Sequence, residues 1–328
     1  MSRITRRTFA AGVGAVAGGL AAPAVLRAQG YPGAGQTIRF IVGFPAGGAQ
    51  DIVGRVVAER IAALWNIPTL VENVSGAGGN IAMDRVAKGP TDGSQIMIIP
   101  PGFTTNQFLY AKMPFDPDKD IIPIANIANI PNLLCVKKGL PVKTTAELIA
   151  YAKANPGKLN YASSGIGTSI HLSAELFKSM TGTNIVAVHY RGSAPAMTDI
   201  LTGNVDLIFD NIPSIINHAR AGSVIPLGVT TPKRSIHAPE YPTIGDTVPG
   251  FDVTSFAGLG VRAGTPKDIC TKIEQAAAII CKDPQLVERM KGLVAEASGE
   301  GTETFSAYIT AERKKWGKLI GDLKIKVE

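Results

Sequence analysis

Three segments of this chain combine glycine with small hydroxyl and amide residues in a pattern suited to holding an anion. They are Gly43-Phe44-Pro45-Ala46-Gly47-Gly48-Ala49-Gln50-Asp51, Asn73-Val74-Ser75-Gly76-Ala77-Gly78-Gly79-Asn80 and Ser163-Ser164-Gly165-Ile166-Gly167-Thr168-Ser169. Each follows a β-rich run and opens a helical pattern. A helix start offers unpaired backbone N–H groups and the positive end of the helix dipole. Glycine lets a ligand come close to the backbone. The combination makes an anion site. Taken singly, each segment reads equally as a tight turn that needs positive φ. Three of one kind, divided between the two halves of the chain, favour a ligand.

The anion is not a nucleotide by signature. The first turn lacks the Gly-Lys-Ser/Thr ending of a phosphate loop, and Ile81 stands where the third glycine of a dinucleotide turn belongs. A phosphate and a small carboxylate both remain open. Three to five charge-assisted hydrogen bonds of roughly 1.5–3 kcal/mol each would supply the roughly 8 kcal/mol of a micromolar complex. No metal or cofactor is needed for that.

Catalytic constellations are absent from the pattern. His171, His189, His218 and His237 fall in no zinc motif. His171 and Glu175 share a helix face and read as a helix hydrogen bond before half a metal site. Ala162 replaces the first glycine of a hydrolase elbow around Ser164. Asp206 and Asp210 are four residues apart in a strand, about 13 Å, too far for a carboxylate dyad.

The elements that must position these turns alternate. Strands are expected at 37–44, 68–74, 95–100, 159–163, 185–190, 205–210, 224–230 and 253–261. Helices are expected at 49–64, 80–87, 145–155, 169–181 and 194–202. A long strand-like stretch at 121–136 contains Pro123 and Pro131. Thr265 and Pro266 read as the cap and first position of another helix, and a final helix runs from about 303 to 323. The rhythm is that of two α/β lobes with helices on both sheet faces.

The chain has 328 residues and a formal net charge of +7. Its charge distribution removes the nucleic-acid reading this invites. Four basic residues and no acidic one lie in the first 28 residues, so the remainder carries 29 basic against 26 acidic side chains, a balance of +3. The first 28 residues read as an export leader of the twin-arginine type, with Arg6-Arg7 before an Ala/Gly-rich stretch and cleavage after Ala28 or Ala24. A membrane anchor is the rival reading, weakened by Gly12, Gly14, Gly18, Gly19 and Pro23. Cys270 and Cys281 are eleven apart on one expected helix, about 16 Å, beyond the roughly 7 Å reach of a disulfide.

Taken in order, these motifs resemble the solute-binding receptors of tripartite tricarboxylate transporters, also called the Bug family. The likeness is carried by the three turns with Asp51 and Glu72-Asn73. It continues through His171-Leu172, Glu175-Leu176-Phe177, Tyr190-Arg191-Gly192, Pro195-Ala196, Gly203, Val205-Asp206 and Phe209-Asp210-Asn211. The resemblance implies a two-lobed periplasmic-binding-protein fold of the type II, Venus-flytrap kind. Lobe one would hold residues 29–130 and 253–328, and lobe two residues 131–252. The chain would cross between them near 126–132 and 251–254. It implies a small organic carboxylate as ligand, no cofactor or metal, no nucleic acid, and membrane components of a secondary transporter as partners.

Residue by residue, the resemblance places one carboxylate end on Phe44, Pro45, Ala46, Gly47 and Gly48, with Asp51 in the same motif, and on Gly76, Ala77, Gly78 and Gly79. Ser163, Ser164, Gly165 and Thr168 are candidates on lobe two, with Asp210 and Asn211 at the cleft edge. Thr104 and Asn106, in the 101–106 segment, and Tyr190-Arg191 are candidates for the far end of the ligand. Arg191 either pairs a second carboxylate or caps a surface loop. The expected protein is therefore an exported receptor and not an enzyme. The rival readings are a periplasmic enzyme using Ser164 or His171, and a sensor that binds the same ligand.

Overall fold

The computed structural model describes residues 30–33 and 35–327. The expected export leader lies outside the described residues.

The first sheet is built around β1 (Ile38–Val42), which pairs in parallel with β2 (Thr69–Asn73) and β3 (Gln95–Ile99). Antiparallel β9 (Thr254–Arg262) pairs with β3, and β4 (Ile121–Lys137) with β9. The second sheet is built around β7 (Leu207–Asn211) and β5 (Asn160–Ser163), which are parallel, with β6 (Val186–His189) at its edge. Strand β8 (Val224–Val229) joins through β4.

One strand belongs to both sheets. Residues Ile121 to Pro131 of β4 pair with β9, and Asn132 to Val136 pair with β7. The two prolines do not break it. The register shifts between Pro123 and Ala125, a bulge that absorbs a residue without an amide donor, and again between Asn126 and Ala128, while Pro131 pairs in register with Thr254 at the end of the ladder. The return crossing is equally sharp. Val253 donates its N–H to Thr230 O, and the next residue, Thr254, pairs with Pro131.

Helices cover both faces of each sheet, which is why the parallel strands are nearly continuous apolar runs. Ile38, Phe40 and Val42 of β1 and Ile96 and Ile98 of β3 face α1 (Ala49–Trp65) and α8 (Lys267–Ile280). Ile41, Met97 and Ile99 face α2 (Asn80–Ala87) and the start of α10 (Thr302–Leu323). In the second sheet Tyr161, Leu207 and Phe209 pack on α4 (Thr145–Ala154) and α5 (Ser169–Thr181). Ala162 and Ile208 pack on α6 (Ser193–Thr202) and α7 (Ile212–Arg220). Helix α10 serves both lobes. Its Phe305 and Ile309 enter the first core, and its Trp316 and Ile320 enter the second.

Four elements go beyond the sequence pattern: α3 (Gly102–Leu109), α7, α9 (Pro284–Gly292) and β10 (Glu296–Glu300). The expected cap at Thr265 is corrected. Pro266 occupies the N-cap of α8, and the Thr265 hydroxyl donates to Arg262 O instead.

Candidate functional site

The carboxyl ends of the parallel strands of both sheets face one cleft, where open α/β sheets bind ligands. Five helices begin there. Gly48, Ala49 and Gln50 open α1, Gly102 opens α3, Thr168 and Ser169 open α5, Ser193 opens α6, and Asn211 precedes α7. These residues, with Phe44, Ser164 and Ser255, line a narrow cavity of about 30 Å³. Every residue lining it is uncharged. Helices α1, α3, α6 and α7 carry no side-chain cap on their first-turn amides. At α3 the Phe103 and Thr104 amides already donate to Pro100 O and Pro101 O, and Pro195 and Pro213 carry no N–H, so among these four the N–H groups and dipole ends available to an anion are mainly those of α1 and α6.

An outer groove of about 560 Å³ continues from the cavity through the shared walls Phe44 and Ser164. It is lined by Gly76, Ala77, Gly78 and Gly79 on one side, by Gly165, Ile166, Tyr190 and Arg191 on the other, and by Tyr110 and Val327. Arg191 is the only basic residue among them.

The expected site residues other than Asp210 fall into three groups. Phe44, Gly48, Ser164 and Thr168 line the inner cavity, and Gly76, Ala77, Gly78, Gly79, Gly165 and Arg191 line the outer groove. Others brace the loops. Asp51 is buried under the first turn, where its carboxylate accepts from Gly47 N–H at 3.0 Å and from Asn73 Nδ2 at 2.9 Å and pairs with Arg55 at 2.8 Å. Burial alone would raise its pKa. The hydrogen bonds from Arg55, Gly47 and Asn73 outweigh burial and hold the carboxyl below its usual range. Ser163 turns back on Gly165 O, and Asn106 Nδ2 donates to Gly78 O at 3.1 Å. Thr104, fully buried, donates to Pro101 O. A third group forms contact between lobes. Pro45 meets Gly192, and Ala46 and Gly47 complete the same turn.

Asp210 stands one hydrogen bond behind the cavity. Its carboxylate accepts from the Ser193 hydroxyl and from Asn211 N–H, and no part of it is exposed. Burial pushes its pKa up to about 7 against the lowering effect of those two donors.

Six lining residues were outside the expected set: Ala49, Gln50, Ser169, Ile170, Ser193 and Ser255; Asn211, expected at the cleft edge, also lines the cavity. Ser193 and Ser169 follow Gly192 and Thr168 directly, so their helix-start positions were a usable signal. Ser255, on a strand distant in sequence, had none. Asn211 also ties the cavity to the crossings. Its Nδ2 donates to Asn132 Oδ1 and to Ser169 Oγ, and Asn132 N–H donates to Thr230 Oγ1 at 3.0 Å.

Two residues weighed as catalytic are engaged otherwise. The Ser164 hydroxyl donates to Thr168 Oγ1 at 3.2 Å. His171 Nδ1 accepts from Gly167 N–H at 3.3 Å rather than bonding Glu175, which takes Tyr161 OH and Lys178 Nζ. Burial lowers the His171 pKa to about 4, so the ring is a neutral acceptor at ordinary pH.

Two α/β lobes joined by crossing strands, with a cleft of helix starts between them, define the periplasmic-binding-protein class of solute receptor. Within it, a family model described as "Tripartite tricarboxylate transporter family receptor" matches residues 53–325, and this chain belongs to that family. The solved structure "R. palustris Rpa4515 with adipate" is similar with 37% identity and a TM-score of 0.87, covering 89% of this chain and 98% of that one. A second, "Structure of periplasmic binding protein BugD", has 31% identity and a TM-score of 0.85, covering 89% of this chain and 99% of that one. The "UPF0065 protein in tcbD-tcbE intergenic region" of Pseudomonas sp. (strain P51) is 32% identical over 327 residues, 99% of this chain and 96% of its own.

Proposed function

We propose that this chain is an exported periplasmic receptor that captures a small organic carboxylate between its lobes and delivers it to the membrane components of a secondary transporter. The observation that carries the reading is the convergence of five helix starts, two from the first lobe and three from the second, on a cavity with uncharged walls. The charge complement of an anion comes there from backbone N–H groups, which suit a carboxylate or another small oxyanion. The adipate named with the R. palustris relative favours the carboxylate. On this reading the lobes hinge where β4 passes from one sheet to the other at 131–132 and where the chain returns at 253–254. Since only the closed state touches ligand from both sides, binding favours closure.

Thermal melting against a panel of mono-, di- and tricarboxylates, before and after stripping by unfolding and refolding, tests the reading. A true ligand at 100 times its Kd adds about 2.7 kcal/mol of stability, a rise of several degrees. Turnover of the ligand during the same incubation would instead support the enzyme reading. No shift with any anion would contradict capture.

A further inference from the structure

The inner cavity contains an acceptor that a plain carboxylate cannot satisfy. Gln50 is nearly buried, at 5% exposure, and its Nε2 donates to Phe256 O at 2.8 Å. That bond fixes the orientation of the amide and leaves Oε1, which accepts and never donates. Among the described residues Gln50 Oε1 has no hydrogen-bond partner, and neither has the hydroxyl of Ser255, the residue next to Phe256 and itself fully buried. Both residues line the cavity, and in this state their two orphaned atoms are closed to solvent, so a ligand group reaches them only as the cavity widens around it. The surrounding helix starts present N–H donors, so a carboxylate lying among them satisfies the donors but brings no proton to Gln50.

We propose that Gln50 and Ser255 form a specificity element for an organic acid that carries a hydroxyl group close to its carboxylate. The inference rests on the receptor reading above. The carboxylate oxygens take the N–H groups of the helix starts. The neighbouring hydroxyl donates to Gln50 Oε1 and accepts from Ser255 Oγ–H, so both orphaned groups gain a partner. An ammonium group would also offer protons. Here it would lie among the positive ends of several helix dipoles with no carboxylate side chain on the cavity wall, which disfavours it. Sites that hydrogen-bond a ligand hydroxyl reject the analogue lacking it, because the protein groups are then left unpaired.

Calorimetry with matched pairs provides the test: lactate against propionate, malate against succinate, 2-hydroxyglutarate against glutarate, and aspartate as the ammonium counterpart of malate. In the wild-type protein, a hydroxy acid should bind at least about tenfold tighter than its deoxy partner and than the amino acid. Gln50→Met, similar in length but without the acceptor, should reduce the preference to within about twofold. Ser255→Ala removes a hydroxyl that has no partner in the fold, so it should melt normally and weaken the same preference. Equal binding of the deoxy and hydroxy partners would overturn the proposal and mean that water fills the pair, while leaving the receptor reading intact. A hydroxyl preference unchanged in both variants would overturn the assignment to these residues. Binding by no anion at all would remove the receptor reading and this inference together.

Discussion

Gly78 shows how tightly single residues are specified here. Its φ is +61°, and a Cβ placed on it would lie 3.2 Å from Ile166 O across the groove and 3.3 Å from Asn106 Nδ2. Gly78→Asp would put strain and a negative charge into the proposed anion site together. Carboxylate affinity should fall at least 100-fold by calorimetry; retention of affinity would remove this loop from the site. Asp210 makes a pH prediction. With a folded pKa near 7 against an ordinary 3.8, its stabilising effect is fully present below about pH 4 and is lost as pH rises to about 7. Above that it is a charge behind the cavity. With only the Ser193 hydroxyl between them, its repulsion of a bound carboxylate should cost roughly tenfold or more in affinity. Anion affinity should therefore fall between pH 6 and 8 in wild type and stay flat in Asp210→Asn. A flat wild-type profile would contradict the coupling. Glycine turns were legible in sequence because backbone geometry restricts residue type. Asp51 was legible as part of the motif, but its role as a brace depends on Arg55 and Asn73 closing around it.

Among elements, those with a periodic apolar face were legible nearly to the residue. Helices over Asn80–Ala87 and Ser169–Thr181 match their expected bounds. Helix α7 carries a readable signal, Pro213 in its first turn and Ile212, Ile215, Ile216 and Ala219 on one face. Helix α3 has little: Gly, Thr and Asn are poor helix formers, and its packing between lobes holds it. The Thr105 hydroxyl there donates to Gly167 O at 2.9 Å, and Leu109 joins the second core. Strand β10, with the sequence Glu-Ala-Ser-Gly-Glu, has no alternating apolar face and exists through its pairing with β4. The two turns that meet across the cleft mouth also make a prediction. A Cβ on Gly192, where φ is +146°, would approach Pro45 Cδ to 2.6 Å. Gly192→Ala should leave each lobe folded but hold them apart. Small-angle scattering with ligand should show a larger radius of gyration than wild type and affinity reduced by at least about tenfold. Unchanged closure would show that this contact does not limit the lobes.

At the scale of the whole molecule, two α/β lobes could be read from the rhythm of the elements, whereas their junction could not be read from patterning alone. The 121–137 segment looks like one apolar strand, and only the exchange of partners at Pro131 and Asn132 reveals two sheets. Helix α10 likewise reads as one amphipathic helix, yet its apolar stripe is shared between two cores. The net charge of the whole chain proved a poor guide to the site, whose cavity walls contain no charged residue. On the proposed reading, the anion preference resides in backbone N–H groups gathered from both lobes. A crystal structure with the tightest-binding carboxylate tests this most directly. The account predicts carboxylate oxygens within hydrogen-bond distance of backbone N–H groups at the start of α1 in one lobe and of α5 or α6 in the other. A carboxylate bound outside the cleft, or held by one lobe alone, would contradict it.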